Sequence, residues 1–243
     1  MIFHPKIFCP IVFISCFTLA ARAQVFEEGS WTDFNGSIGN KRCQASLYLF
    51  KDSTVKGNYV YKSDSVKQRV SGYLHGNILL LTDSVNKKIA FKGMVSTPPD
   101  ELQGTLTDSS TGQTKMFGLY SISSNSGDYG NRYADLGGTE DEVETFVRTA
   151  KRAILTGDKQ WLATHIQYPV LRVLPKGYPI VKNAALFIKY FDQIFTPKFK
   201  AKIKKDYTTN LFTKNGAVML GDGEIWVSGT ERSKDFVIIA INK

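Results

Sequence analysis

The sequence predicts an α+β protein built from two regions with different hydrophobic periods. Residues 24–124 contain short runs of alternating, β-branched and aromatic residues, separated by clusters of turn-forming residues. Residues 139–243 begin with helical periodicity and end in further strand-like runs. Between these regions, residues 125–138 are rich in Gly, Asn and Asp and show neither period, which predicts a linker.

The first region is expected to be all-β. About eight strands are predicted, and the clearest runs are residues 45–50, 57–61, 70–74, 77–82, 89–95, 102–107 and 116–122. Because their connections are short, neighbouring strands should pair antiparallel in a meander that curls into a half-barrel or small barrel. Glycines at positions 57, 72, 93, 104 and 118 fall within or at the start of strands, where they predict bends or bulges.

The second region starts with well-marked helix boundaries. Thr139 to Glu142 has the pattern of a capping box, and an apolar stripe follows it. Gly157 is expected to end this helix, and Asp158 to cap a second, short one. A strand at residues 170–174, helices starting at residues 183 and 196, and strands at residues 216–220, 224–228 and 236–241 are predicted to follow.

In this order of elements, residues 139–243 resemble the NTF2-like superfamily. The features that carry the resemblance are the capped first helix, the Gly157-Asp158 break, the entry to a strand at Tyr168-Pro169 and the closing hairpin GAVMLGDGEIWVSG. The resemblance implies a cone in which a curved antiparallel sheet folds over helices around a pocket. The superfamily includes isomerases, dehydratases and domains without known catalysis. The first region loosely resembles lipocalin-like β-domains.

Residues 1–23 have the layout of a secretory signal peptide. A basic residue precedes an apolar run at residues 7–20, and Ala21-Arg22-Ala23 fits a cleavage site. Cleavage would leave Gln24 as the mature N-terminus of a periplasmic or secreted protein. The alternative is a lipoprotein anchored through Cys16. No later apolar stretch reaches the ~20 residues that span a bilayer, so no integral membrane span is expected.

The composition of the mature chain excludes several chemistries. Cys43 is its single cysteine, so it cannot form an intrachain disulfide and is expected to be a small buried hydrophobe. Two histidines and one cysteine rule out the usual zinc clusters, and no metal or cofactor is predicted. The mature net charge is +7, but no nucleic-acid-binding motif accompanies it, so nucleic acid is not an expected partner.

A lysine-rich segment, PKFKAKIKK at residues 197–205, carries much of the local charge. As a strand it would have a basic face, whereas as a helix Phe199 and Ile203 would meet one turn apart. A threonine followed by proline at its start favours the helix. Such a segment is either a solvated face or a contact for an anionic envelope component or protein partner. The residues that would make this contact are Lys198, Lys200, Lys202, Lys204 and Lys205.

The stretch MLGDGEIWVSG predicts a hairpin. A phosphate-binding loop would need a helix after it, and a strand follows here. Asp222-Gly223 suits a two-residue type I′ turn. That turn would place Leu220 opposite Ile225 and Met219 opposite Trp226.

Five residues remain as site candidates. Glu224 and Trp226 would share one hairpin face, which either lines a pocket together with Tyr168 or lies outside the sheet. His165, Asp192 and Glu224 are the candidates for acid–base catalysis. The leading hypothesis is non-catalytic binding of a small ligand or envelope partner in the C-terminal cone. The alternatives are an isomerase, dehydratase or hydrolase that uses these three residues, and a structural adaptor in the cell envelope.

Overall fold

The computed structural model describes residues 26–63, 66–97, 100–171, 173–175, 177–230 and 233–242. The predicted signal peptide, the mature N-terminus at Gln24 and the alternative lipid site Cys16 lie outside these residues. The described chain is mixed α+β, with a β-barrel followed by short helices and a small sheet. None of the helices in this part of the chain has the length and apolarity needed to cross a membrane.

Eight antiparallel strands form a closed barrel in chain order. They are β1 Ser30–Ile38, β2 Lys41–Leu49, β3 Thr54–Tyr61, β4 Lys67–His75, β5 Ile78–Asp83, β6 Ile89–Ser96, β7 Glu101–Asp108 and β8 Gln113–Ser126. Each strand pairs with the next, and β1 also pairs with β8, which closes the sheet. Of the two predicted forms, the half-barrel is therefore wrong and the small barrel is confirmed, and the closed barrel fits the resemblance to lipocalin-like domains.

Strand β1 closes the barrel, and its sequence, SWTDFNGSI, does not look like a strand. Asp33, Asn35 and Gly36 are residues typical of loops. Gly36 is nevertheless required by the packing, because a Cβ atom at this position would overlap the backbone carbonyl of Gly118 on β8. The half-barrel prediction fails because this one strand was not recognised.

The interior of the barrel is filled by side chains. Phe34, Tyr59, Phe91 and Phe117 are buried, and the last three form a chain of ring contacts with centroids 5.1 and 5.6 Å apart. A cavity of about 20 Å³ remains beside Tyr59, Phe91 and Phe117, which is close to the space that one water occupies. Cys43 belongs to this core, where burial raises the pKa of its thiol to about 12. The barrel is thus a packed core with little room for a ligand.

In the described residues, the C-terminal part combines five α-helices with a four-stranded sheet. The helices are α1 Glu140–Thr156, α2 Lys159–Thr164, α3 Ala184–Lys189, α4 Phe191–Ile194 and α5 Pro197–Lys204. The strands are β9 Phe212–Lys214, β10 Ala217–Leu220, β11 Ile225–Thr230 and β12 Ser233–Ile241, in the order β12-β11-β10-β9. The predicted capping box at Thr139 and the cap at Asp158 are both confirmed.

The predicted NTF2-like cone is not formed, so the resemblance to that superfamily is wrong. Of the segment 170–174, predicted as a strand, the described residues contribute only an isolated bridge between Val170 and Val181. The helix predicted to start at residue 183 is interrupted at Tyr190, which separates α3 from α4. Phe187 and Phe191 are fully buried in the core between the helices and the sheet. Side chains that would surround an open cone instead form a filled core.

The hairpin β10–β11 has the predicted register but a different turn. Leu220 faces Ile225, as expected. The connection spans residues 221–224, with positive φ at Gly221 and Gly223 and not at Asp222. The type I′ turn is therefore wrong. The physical reason is that Glu224 folds back into the loop, where its Oε2 accepts a hydrogen bond of 2.6 Å from the Asp222 amide.

Candidate functional site

A buried arginine joins the barrel to the C-terminal part. Arg132 lies between β8 and α1, and its guanidinium donates to both carboxylate oxygens of Asp33 on β1, at 2.8 and 2.5 Å. It also donates to the Ser46 hydroxyl at 2.6 Å and to the Leu211 carbonyl at 3.0 Å. Burial alone would lower the pKa of Arg132, but the Asp33 carboxylate raises it, so the guanidinium remains charged. One side chain thus connects two barrel strands to the segment before β9.

Further polar contacts fix the same interface. The side-chain amides of Asn58 on β3 and Asn210 exchange two hydrogen bonds, at 3.2 and 2.8 Å. The Lys67 ammonium on β4 bridges Glu140 and Glu144 of α1, at 2.7 and 2.8 Å. Because these contacts involve β3, β4 and α1, the two parts of the molecule are held by several buried or half-buried links.

Beside this interface lies a cleft of about 800 Å³. Its barrel wall includes a row of neighbouring outward positions, in which Tyr120 on β8 faces Asn35 on β1 and Asn35 faces Gln44 on β2. The opposite wall comes from the segment after α5 and from the β10–β11 hairpin, including Asp206 and Thr209. The cleft therefore requires both halves of the chain.

Three buried oxygens that belong to residues lining this cleft lack hydrogen-bond partners among the described residues. They are Gln44 Oε1, Asp206 Oδ2 and Thr209 Oγ1. Gln44 is 5% exposed and Thr209 is 3% exposed. Buried polar atoms are almost always paired, and each unpaired one costs about 1–3 kcal/mol. Three such atoms among the residues of one cleft make it the candidate site.

Charged groups near the cleft influence one another. Burial raises the pKa of the Asp206 carboxyl, and Lys151 and Lys62 oppose that rise. Burial, with a smaller contribution from Lys151, lowers the pKa of Lys62 to about 8. The Lys62 ammonium lies 4.0 Å from the centre of the Tyr207 ring, and burial raises the pKa of Tyr207 to about 12. This side of the cleft is positive and partly shielded from water.

The three acid–base candidates each have separate partners. His165 stacks on Trp161 with ring centroids 4.0 Å apart, and its Nδ1 lies 2.7 Å from the Trp161 carbonyl oxygen. Asp192 is exposed and pairs with Lys159 at 2.9 Å. Glu224 is buried and pairs with Lys202 of α5. No hydrogen bond, ion pair or ring contact joins the three candidates to one another.

The other predicted site residues are distributed over the C-terminal part. The Tyr168 hydroxyl donates to the Ala163 carbonyl at 3.0 Å, and Trp226 is half-buried on β11 opposite Met219. The lysine-rich segment forms the helix α5, with Phe199 and Ile203 buried. Lys198, Lys202, Lys204 and Lys205 are exposed, and Lys200 is half-buried with its ammonium 5.2 Å from the Phe191 ring centre. Of all these candidates, Lys205 lines the cleft.

Most residues that shape the cleft could not be predicted from the sequence. Arg132 stands in a segment that reads as a linker, and Gln44 precedes the alternating run assigned to its strand. Asp206 and Thr209 follow α5 in a segment without a period. One signal in the sequence could have indicated part of this site: a basic residue, Arg132, lies between the aromatic residues Tyr129 and Tyr133 of the predicted linker.

Comparisons of this chain with protein-family profiles, with curated proteins and with solved structures found no match. Within the described ranges, no group of three His, Cys, Asp or Glu side chains is placed to hold a metal ion.

Proposed function

We propose that this protein binds a small molecule, without transforming it, in the cleft between the barrel and the C-terminal part. The observation that carries the proposal is the set of three unpartnered oxygens on Gln44, Asp206 and Thr209. A bound ligand would satisfy them and recover free energy that the unliganded protein lacks. This places the binding site at the interface instead of in the expected C-terminal cone.

The dimensions of the cleft support this proposal. Small-molecule sites in proteins are concave, with volumes of roughly 300–1,000 Å³, and they combine apolar walls with a few polar groups. The cleft has about 800 Å³ and presents Tyr120, Ile122 and Met219 beside its polar atoms. Its walls are also connected by the buried Arg132–Asp33 pair, which preorganises the site and lowers the entropy lost on binding.

The enzymatic alternative receives less support from the geometry. Acid–base catalysis needs groups that converge on one substrate position. His165, Asp192 and Glu224 have separate partners, as described above. We therefore favour binding over catalysis.

The test is native mass spectrometry of the full chain purified without denaturation. We expect a small molecule to remain with the wild type. Asn35→Trp, which places a large ring in the cleft, should lose that molecule, because Asn35 is exposed between Tyr120 and Gln44. Gln103→Trp is the matched control, since Gln103 is exposed on β7 outside the cleft and should leave binding unchanged. Equal retention by both variants would refute the location of the site.

We also propose that the protein is exported after cleavage at Ala23-Gln24. The support is the N-terminal pattern of a basic residue, an apolar run and a small-residue cleavage site. In that setting the ligand would be an extracytoplasmic molecule or a component of the cell envelope.

A further inference from the structure

The unpartnered atoms of the cleft restrict the chemistry of its ligand. An amide oxygen such as Gln44 Oε1 only accepts hydrogen bonds, and so does the Asp206 carboxylate when it is ionised. The Thr209 hydroxyl can accept or donate. All three are buried and lack partners among the described residues. A matching ligand must therefore bring several hydrogen-bond donors to one wall of the cleft.

The surrounding charge decides which donors are suitable. Ammonium groups on a ligand would meet the positive charges of Arg42 and Lys205 on the cleft walls, and Lys62 and Lys151 already interact with Asp206. The positive field of Lys151 already helps to lower the pKa of Lys62. A further cation would be disfavoured in the same way. Hydroxyl groups donate hydrogen bonds without adding positive charge, so they fit this environment better.

Two cationic side chains on the walls of the cleft can also bind an acidic group. Within the described part of the chain, neither Arg42 nor Lys205 forms an ion pair. Asp222 also lines the cleft but is exposed on the hairpin loop. Arginine is well suited to carboxylates because its planar guanidinium can form two parallel hydrogen bonds with them. An acidic group on the ligand would complete this part of the site.

The barrel wall adds an exposed aromatic surface. Tyr120 is 54% exposed and Ile122 is 52% exposed on the same face of β8. Tyr120 lies next to Asn35, which is itself next to Gln44. An exposed ring beside polar side chains can pack against the apolar face of a hydroxylated ring while the hydroxyl groups reach the neighbouring oxygens.

We infer that the cleft binds an acidic saccharide. Its hydroxyl groups donate to the oxygens of Gln44, Asp206 and Thr209, a sugar ring packs on Tyr120, and its carboxylate lies near Arg42 and Lys205. The inference rests on the proposed binding function and specifies the ligand for that same site.

Three probes separate the contributions of the hydroxyl groups and the charge. Trigalacturonate has both, its methyl ester keeps the hydroxyl groups without the charge, and propane-1,2,3-tricarboxylate keeps carboxylates without the sugar. Binding of each to the full chain is measured by titration calorimetry. We expect trigalacturonate to bind about tenfold more tightly than either of the other two, because each lacks one set of charge-assisted or neutral hydrogen bonds. Comparable affinity for all three would overturn the inference.

Two variants locate the contacts. Thr209→Val removes the buried hydroxyl at nearly constant volume, so it should weaken trigalacturonate binding about tenfold while raising the melting temperature of the free protein. A merely structural hydroxyl would instead lower the melting temperature and leave binding unchanged. Arg42→Gln should remove the preference for trigalacturonate over its ester. The control Arg69→Gln, at an exposed position on β4, should retain that preference.

The outcomes distinguish this inference from the proposed function. If none of the probes binds, but a molecule of another class travels with the wild type and is lost from Asn35→Trp, the saccharide assignment fails and the cleft remains a binding site. If the wild type carries no molecule and no probe binds, both the assignment and the proposed function fail.

Discussion

Replacing Arg132 with methionine should strongly destabilise the protein. Arg132 and Asp33 have side chains that are each 1% exposed. Removing the guanidinium would leave the Asp33 carboxylate buried without a counter-charge and the Leu211 carbonyl without its donors. Breaking one side of a buried ion pair typically costs about 3–5 kcal/mol. We expect the lower part of that range, because methionine retains the packing of the arginine stem and Asp33 keeps neutral hydrogen-bond donors.

Three neutral side chains donate hydrogen bonds to the Asp33 carboxylate. The Ser46 and Ser123 hydroxyls donate to the Asp33 carboxylate at 2.6 and 2.8 Å, and the Asn125 amide donates at 2.9 Å. They partly solvate the carboxylate but do not neutralise it. The second change Asp33→Asn removes the remaining charge. The double variant should therefore be about 1–3 kcal/mol more stable than Arg132→Met alone, since the excess cost of a broken pair comes from the unpaired charge.

The assay is urea denaturation followed by far-ultraviolet circular dichroism and tryptophan emission. Trp31 is a suitable reporter, because the Arg132 guanidinium lies 5.7 Å from its ring centre. Arg148→Met is the control, since Arg148 is exposed on α1 and its loss should change the free energy of unfolding by less than about 0.5 kcal/mol. An Arg132→Met variant that is as stable as this control, or a double variant no more stable than the single one, would refute the reasoning.

Three further predictions concern other parts of the chain. Because Lys62 has a pKa of about 8 in the folded protein and an ordinary value of 10.5, the folded state loses this proton first, and wild-type stability should rise relative to Lys62→Met between pH 8 and pH 10.5. Urea midpoints that change equally with pH in both proteins would contradict this. Gly36→Val should prevent the pairing of β1 with β8, because its side chain would overlap the Gly118 carbonyl, and a soluble variant with an unchanged urea midpoint would show that the closure tolerates a side chain. N-terminal sequencing of the exported protein should begin at Gln24, whereas a lipidated Cys16 would show that the alternative is correct.

The parts of the fold that could be predicted are those with local causes. A capping box needs residues three positions apart, and Thr139 and Glu142 form it as expected. The register of the β10–β11 hairpin follows from alternation around a short connection, and Leu220 faces Ile225 as predicted. The NTF2-like assignment failed because it inferred a tertiary shape from the order of such local elements. The same order is compatible with a filled core, in which Phe187 and Phe191 occupy the interior.

By itself, the sequence determined the antiparallel meander, most helix boundaries and the burial of Cys43, because period, caps and short connections act between near neighbours. Only the tertiary structure decided the barrel closure and the cleft. Arg132 lies 99 positions from Asp33 of the closing strand, and Asn210 lies 152 positions from Asn58 of β3, so Asp33 acquires its counter-charge and Asn58 its amide partner only when the distant half of the chain packs against the barrel. In the sequence alone, the closing strand therefore resembles a loop. A buried polar strand is stable only when other parts of the chain provide partners for its polar groups.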